Sequence, residues 1–246
     1  MGVYFSIAVI FSVFFLYGSY ATKLIVKNKC PHKIWPATQA SQGAPILLRF
    51  ELASKASQTL NVPNAWSGRI WPRYVCSQYG RNFTCLSGDC RTGQIKCNDA
   101  GGIPPATLAQ FTIARWSGEK DFYSVSIVDG FNLPVSVKPI NRPDCLSIGC
   151  YQNLNDISCV DKVELEVRDQ HNNVIGCKSE CLAFHRDDLC CTGSYSSPQT
   201  CKPSSYSKEL KVFCPQAYTY PFDDALFTCT RTDYLITFCP WGQGVA

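Results

Sequence analysis

Sixteen cysteines stand downstream of a leader that carries no charge, and together these two features constrain the fold more than any other part of the sequence. Residues 1–21 contain no Asp, Glu, Lys, Arg or His, and residues 3–17 are almost wholly apolar. That run is shorter than the roughly 20 apolar residues a membrane-spanning helix needs. It ends in Ser19-Tyr20-Ala21, with small residues where a signal peptidase reads. Residues 1–21 are therefore a predicted signal peptide, cleaved after Ala21. The leader lacks the customary Lys or Arg near its start, leaving the initiating amine to supply that charge, and an uncleaved anchor is the competing reading. On the first reading the mature chain begins at Thr22 and is secreted.

An exported chain meets an oxidising compartment, and an even number of cysteines there reads as a disulfide framework. Zinc is the alternative. Cys190 and Cys191 are adjacent and Cys177 and Cys181 are four apart, but no C-x-x-C pair occurs, and His32, His171 and His185 are scattered. The spacing thus predicts no metal site, and nothing in it predicts a cofactor. Each bridge would remove roughly 2–4 kcal/mol of unfolded-state freedom, giving a protein that is hard to melt or digest.

The formal net charge of +4 is mild and dispersed, with no Lys/Arg run and no interleaving of basic and aromatic residues. Nucleic acid is not an expected partner. Strand-like stretches recur: TKLIVKN (22–28), TLAQFTI (107–113), YSVSIV (123–128), PVSVKPI (134–140), KVELEV (162–167) and YLITFC (234–239). They are short, β-branched and mostly alternating, with Gly, Pro, Asn and Asp between them, as in an antiparallel sandwich or barrel. One helix is expected in CKSECLAF (177–184), where Cys177, Cys181 and Phe184 share a face. Nine cysteines crowd residues 145–214, which show little continuous apolar pattern and read as a cross-linked loop region; a smaller one spans 76–97. Cys30 and Cys239, near the two mature ends, could staple them together.

GRIWPRYVC (68–76), CLSGDC (85–90), VDGFNLP (128–134), GCKSECLAF (176–184), CCTGSYSSPQTC (190–201), FCPQAYTYPFDDALFTC (213–229) and ITFCP (236–240) together resemble the thaumatin-like proteins of plant pathogenesis responses. The resemblance covers essentially the whole mature chain and all sixteen cysteines. It implies a mainly β fold: a sandwich core over about 22–75, 106–152 and 214–246, a small disulfide lobe over about 76–105, and a disulfide-rich domain with a short helix over about 153–213. It also implies the pairs Cys30–Cys239, Cys76–Cys85, Cys90–Cys97, Cys145–Cys229, Cys150–Cys214, Cys159–Cys177, Cys181–Cys190 and Cys191–Cys201, which spacing alone leaves open. A cleft between the sandwich and the disulfide-rich domain comes from the resemblance only.

In many members of that family one arginine and four acids line the cleft, which is proposed to hold β-1,3-glucan of fungal walls. Carried across motif by motif, the arginine is Arg69 of GRIW. The glutamate of TLAEF falls on Gln110, and the first aspartate of FYDVSLVDG falls on Ser124. The aspartate ending that strand is Asp129, and the one after AYTYPF is Asp223, with Asp224 adjacent. Two of the four acids are therefore absent.

Glycoside hydrolysis usually needs two carboxyl groups, one to protonate the leaving oxygen and one to act as base or nucleophile. An amide at 110 can do neither, so only Asp129 and Asp223 remain as weak catalytic candidates. Binding tolerates the change better, since amide, hydroxyl, guanidinium and carboxylate groups all hydrogen-bond to sugars. The expectation is a monomeric, secreted antifungal protein that binds β-1,3-glucan or the fungal surface without strong catalysis. A weak endo-β-1,3-glucanase using Asp129 with Asp223 or Asp224, and a non-catalytic stress protein, are the alternatives.

Structural roles compete for the same residues. Asp129 precedes Gly130, a common turn pair, and Arg69 could pair with a nearby acid. Glu164 and Glu166 alternate in KVELEV and are expected on the solvated face of a strand. Asn82-Phe83-Thr84 fits the N-glycosylation pattern. The chain ends in CPWGQGVA, without a retention tetrapeptide or the longer extension that marks vacuolar sorting in this family, so the extracellular space, the apoplast, is the expected location.

Overall fold

The computed structural model describes residues 21–241 except 46, 47, 49, 158, 160 and 161; all but the last residue of the predicted leader at 1–21, and the tail at 242–246, lie outside the described residues. The strands are β1 Thr22–Asn28, β2 Trp35–Gln42, β3 Ser57–Val62, β4 Ser67–Tyr79, β5 Asn82–Ser87, β6 Leu108–Thr112, β7 Lys120–Ser126, β8 Val135–Pro139, β9 Ile148–Cys150, β10 Glu166–Arg168, β11 Val174–Cys177, β12 Ala217–Tyr218, β13 Phe227–Thr230 and β14 Tyr234–Phe238. The helices are α1 Leu154–Ile157, α2 Glu180–Phe184, α3 Asp187–Cys190 and α4 Ser205–Phe213.

Alternation explains the first sheet, ordered β3-β1-β14-β8-β9. Leu24 and Val26 of β1, Val135 and Val137 of β8, and Tyr234, Ile236 and Phe238 of β14 are all buried. The first and last strands, β1 and β14, pair in parallel, and the Cys30–Cys239 bridge closes that pair just beyond Asn28 and Phe238. A sheet ordered β12-β7-β6-β4-β2, with β13 also on β7 and β5 on β4, covers the other side of the core. Its inward side chains include Ile70, Ala109, Phe111, Tyr123 and Val125, which join the residues of the first sheet in one cluster. Tyr234 stands between the layers, 5.2 Å from the ring of Phe111 and 5.3 Å from that of Tyr123. Because strand side chains alternate, the residues between these core positions point away from the core, and that outer face carries Arg69, Gln110 and Ser124.

All eight bridges form: Cys30–Cys239, Cys76–Cys85, Cys90–Cys97, Cys145–Cys229, Cys150–Cys214, Cys159–Cys177, Cys181–Cys190 and Cys191–Cys201. No free cysteine occurs among the described residues.

Two local expectations fail. KVELEV is not one strand: residues 163–165 make a turn, and only Glu166–Arg168 pairs with β11. Glu166 is not solvated either; its side chain is 2 % exposed and accepts a 2.6 Å ion-pair contact from Arg168, while Glu164 is exposed in the turn. The helix also starts later than Cys177. Backbone bonds in both directions between Phe131 and Cys177, each 2.8 Å, hold Cys177 extended, and Ser179 caps the helix by accepting from the Leu182 N–H. Helix α4 was not anticipated, because its buried side consists of Tyr206 and Leu210 alone, too little pattern to read.

Candidate functional site

Backbone register brings three of the five cleft candidates into one line. Arg69 of β4 faces Gln110 of β6, and Gln110 faces Ser124 of β7. Gln39 of β2 extends the line on the far side of Arg69. With strands about 4.8 Å apart, these four positions span roughly 14 Å across the sheet. The Ser124 hydroxyl donates to the Gln110 carbonyl oxygen at 3.2 Å, and Arg69 Nε donates to Gln39 Oε1 at 2.8 Å. Arg69 forms no salt bridge among the described residues, so its partner is an amide and not an acid. A cavity of about 390 Å³ lies over the row, bordered also by Phe122, Tyr218 and Leu226.

Asp129 belongs to a neighbouring cavity. The chain turns at 127–130, closed by a 3.0 Å bond from the Gly130 N–H to the Ile127 carbonyl. Gly130 has φ +99°, and a Cβ there would lie 2.5 Å from the Cys177 carbonyl oxygen and 2.6 Å from Pro105 Cβ. Only glycine fits both the backbone conformation and the space. The turn is thereby clamped to the disulfide-rich region, and Asp129, exposed at its tip, makes no hydrogen bond or ion pair among the described residues. It lines a cavity of about 240 Å³ together with Glu180, His185, Tyr206 and Tyr220. The segment 218–220 runs between the two cavities: Tyr218 borders the first, Thr219 and Tyr220 the second.

Asp223 borders neither. Its carboxylate accepts from the Thr219 N–H and hydroxyl, both at 2.9 Å, and from Lys211 of α4 at 2.9 Å. Burial opposes the charged form, but the Lys211 and Thr219 bonds outweigh it and hold the carboxyl below the usual aspartate range. A carboxyl so fixed ties a loop to a helix and is a poor proton donor at neutral pH. Asp224 is exposed, and its backbone N–H donates to Asp223. Glu180 and His185 are not marked in the sequence: Glu180 opens α2 and His185 caps its C-terminus, where the apolar spacing marks the cysteines instead. The row itself is thus donor- and acceptor-rich with one cation and no carboxylate, whereas the adjacent cavity holds two carboxylates and an imidazole.

The family model for the thaumatin family matches residues 28–240. The chain belongs to the thaumatin family. Among its relatives it is 47 % identical over 230 residues to thaumatin-like protein 1 of Pyrus pyrifolia, covering 91 % of this chain and 93 % of that one. It is 44 % identical to pathogenesis-related protein 5 of Arabidopsis thaliana, covering 96 % and 98 %. It is also 44 % identical over 230 residues to a relative from Prunus avium named glucan endo-1,3-beta-glucosidase, covering 91 % and 92 %.

Proposed function

We propose that this thaumatin-family chain is a secreted, monomeric plant defence protein that holds β-1,3-glucan of the fungal wall across the row of Arg69, Gln110 and Ser124 without cleaving it. The observation that carries the reading is the row itself: an amide and a hydroxyl stand, bonded to each other, where the family pattern has acids. Guanidinium, amide and hydroxyl groups offer donors and acceptors to sugar hydroxyls, and none of the three is a titratable acid near neutral pH. Asp129 serves as a polar neighbour at the adjacent cavity. Similarity to a pathogenesis-related protein supports the defence role, and eight bridges suit an oxidising, extracellular setting.

One observation favours a second reading, an endo-β-1,3-glucanase. Asp129 and Glu180 line the same cavity, and one relative bears a glucanase name. The two are separated by incubating the protein with insoluble β-1,3-glucan and measuring both retention and reducing sugar. Retention without sugar release is the expected result. Release that disappears in Asp129→Asn would establish the enzyme, and neither retention nor release would leave only a durable stress protein.

A further inference from the structure

The loop between β6 and β7 presents Trp116, 65 % exposed, in an open groove of about 640 Å³. That groove adjoins the cavity over the binding row: Thr112 and Phe122, opposite each other in the β6–β7 register, border both. From Gln110 to the Trp116 loop the distance along the strand is four residues to Ala114, roughly 13 Å.

The loop is built to hold its backbone, and so the base of the Trp116 side chain, in one place. Both backbone N–H groups of Arg115 and Trp116 donate to one Glu119 carboxylate oxygen, at 3.0 and 3.2 Å. Gly118 at φ +95° completes the turn. At its base the Ala114 N–H donates to the buried Asp121 carboxylate at 2.7 Å. A fixed turn that leaves a large aromatic ring in solvent, beside an exposed Phe122, offers a flat apolar face with hydrogen-bonding groups around it. That combination suits a pyranose ring, which has one C–H face and a rim of hydroxyls. Charges of both signs, Arg115, Glu119 and Lys120, border the groove, which disfavours a polyanion and suits a neutral chain.

We infer that Trp116 and Phe122 form a second subsite for the same neutral β-linked glucan, engaged only by chains long enough to run past Phe122. This rests on the glucan-binding reading of the row. The test titrates β-1,3-linked gluco-trisaccharide and gluco-hexasaccharide into wild type, Trp116→Ala and Trp116→Phe. Wild type should bind the hexasaccharide more tightly than the trisaccharide; Trp116→Ala should lose about five- to tenfold for the hexasaccharide and less than twofold for the trisaccharide, with Trp116→Phe retaining most of the gain. In a Trp241→Phe background Trp116 is the only strongly exposed indole among the described residues, so hexasaccharide should shield its fluorescence from acrylamide. Equal hexasaccharide affinity in wild type and Trp116→Ala, with trisaccharide still bound, would overturn the subsite alone. Failure of wild type to bind either oligosaccharide would overturn the glucan reading and the subsite with it.

Discussion

The Ser124 hydroxyl donates to the Gln110 carbonyl oxygen across 3.2 Å, joining two neighbouring strands at the two positions where the family pattern carries acids. This pair neutralises the centre of the row and leaves Arg69, bonded to Gln39, as its one cation.

Arg69 is expected to orient the glucan. Arg69→Ala should weaken binding to insoluble β-1,3-glucan about five- to tenfold, the loss of one or two hydrogen bonds to a charged donor, while the melting temperature moves by no more than about 2 °C. Depletion isotherms and calorimetric melting on the same preparations check both halves.

Asp223 is expected to matter for stability and not for binding. Its folded-state pKa lies below the unfolded value, so its stabilisation is present above that value and fades as pH falls, because the unfolded chain takes up the proton first. Asp223→Asn should cost about 1–3 kcal/mol at pH near 7, and the difference from wild type should shrink as pH drops below about 3.8. Urea unfolding with disulfides intact, at neutral and acid pH, measures it.

Arg73 pins the small lobe to the sheet. It is fully buried, donates to the Trp35 carbonyl at 3.1 Å and to the Ile95 carbonyl, and its cation sits 5.4 Å from the Phe83 ring. Burial lowers its pKa to about 10, partly offset by Asp89, so it stays charged at neutral pH. Arg73→Met should destabilise the protein by about 2–4 kcal/mol by leaving those carbonyls unpaired, with faster amide exchange concentrated in residues 76–97.

The bridges should differ in worth. Cys30–Cys239 spans 209 residues and Cys90–Cys97 spans 7. On loop-closure entropy the first contributes about 5 kcal/mol and the second about 2. Paired Cys→Ala replacements, compared by equilibrium denaturation, should reproduce that order.

Much of the frame is legible in the sequence. β1, β6, β7, β8 and β14 announce themselves by alternation, since each buries every second side chain against one core. The site was less legible, because it depends on register and on contacts across the chain. That Arg69, Gln110 and Ser124 share a row follows from strand pairing, which periodicity does not encode. The resemblance puts an acid at Asp223, but its tie to Lys211 is not legible in the sequence, because α4 has an apolar side of only Tyr206 and Leu210. Glu180 and Asp129 line one cavity beside the backbone bonds between Phe131 and Cys177, which join residues far apart in sequence. The disulfide pairing came from family resemblance; with sixteen cysteines, spacing could not choose it.

The most direct test of glucan binding without cleavage is a calorimetric titration of a β-1,3-linked gluco-hexasaccharide into wild type and Arg69→Ala, followed by chromatography of the recovered sugar. Saturable binding weakened by Arg69→Ala, with the hexasaccharide recovered intact, is the predicted result. Shorter products formed by wild type and absent with Asp129→Asn would contradict it.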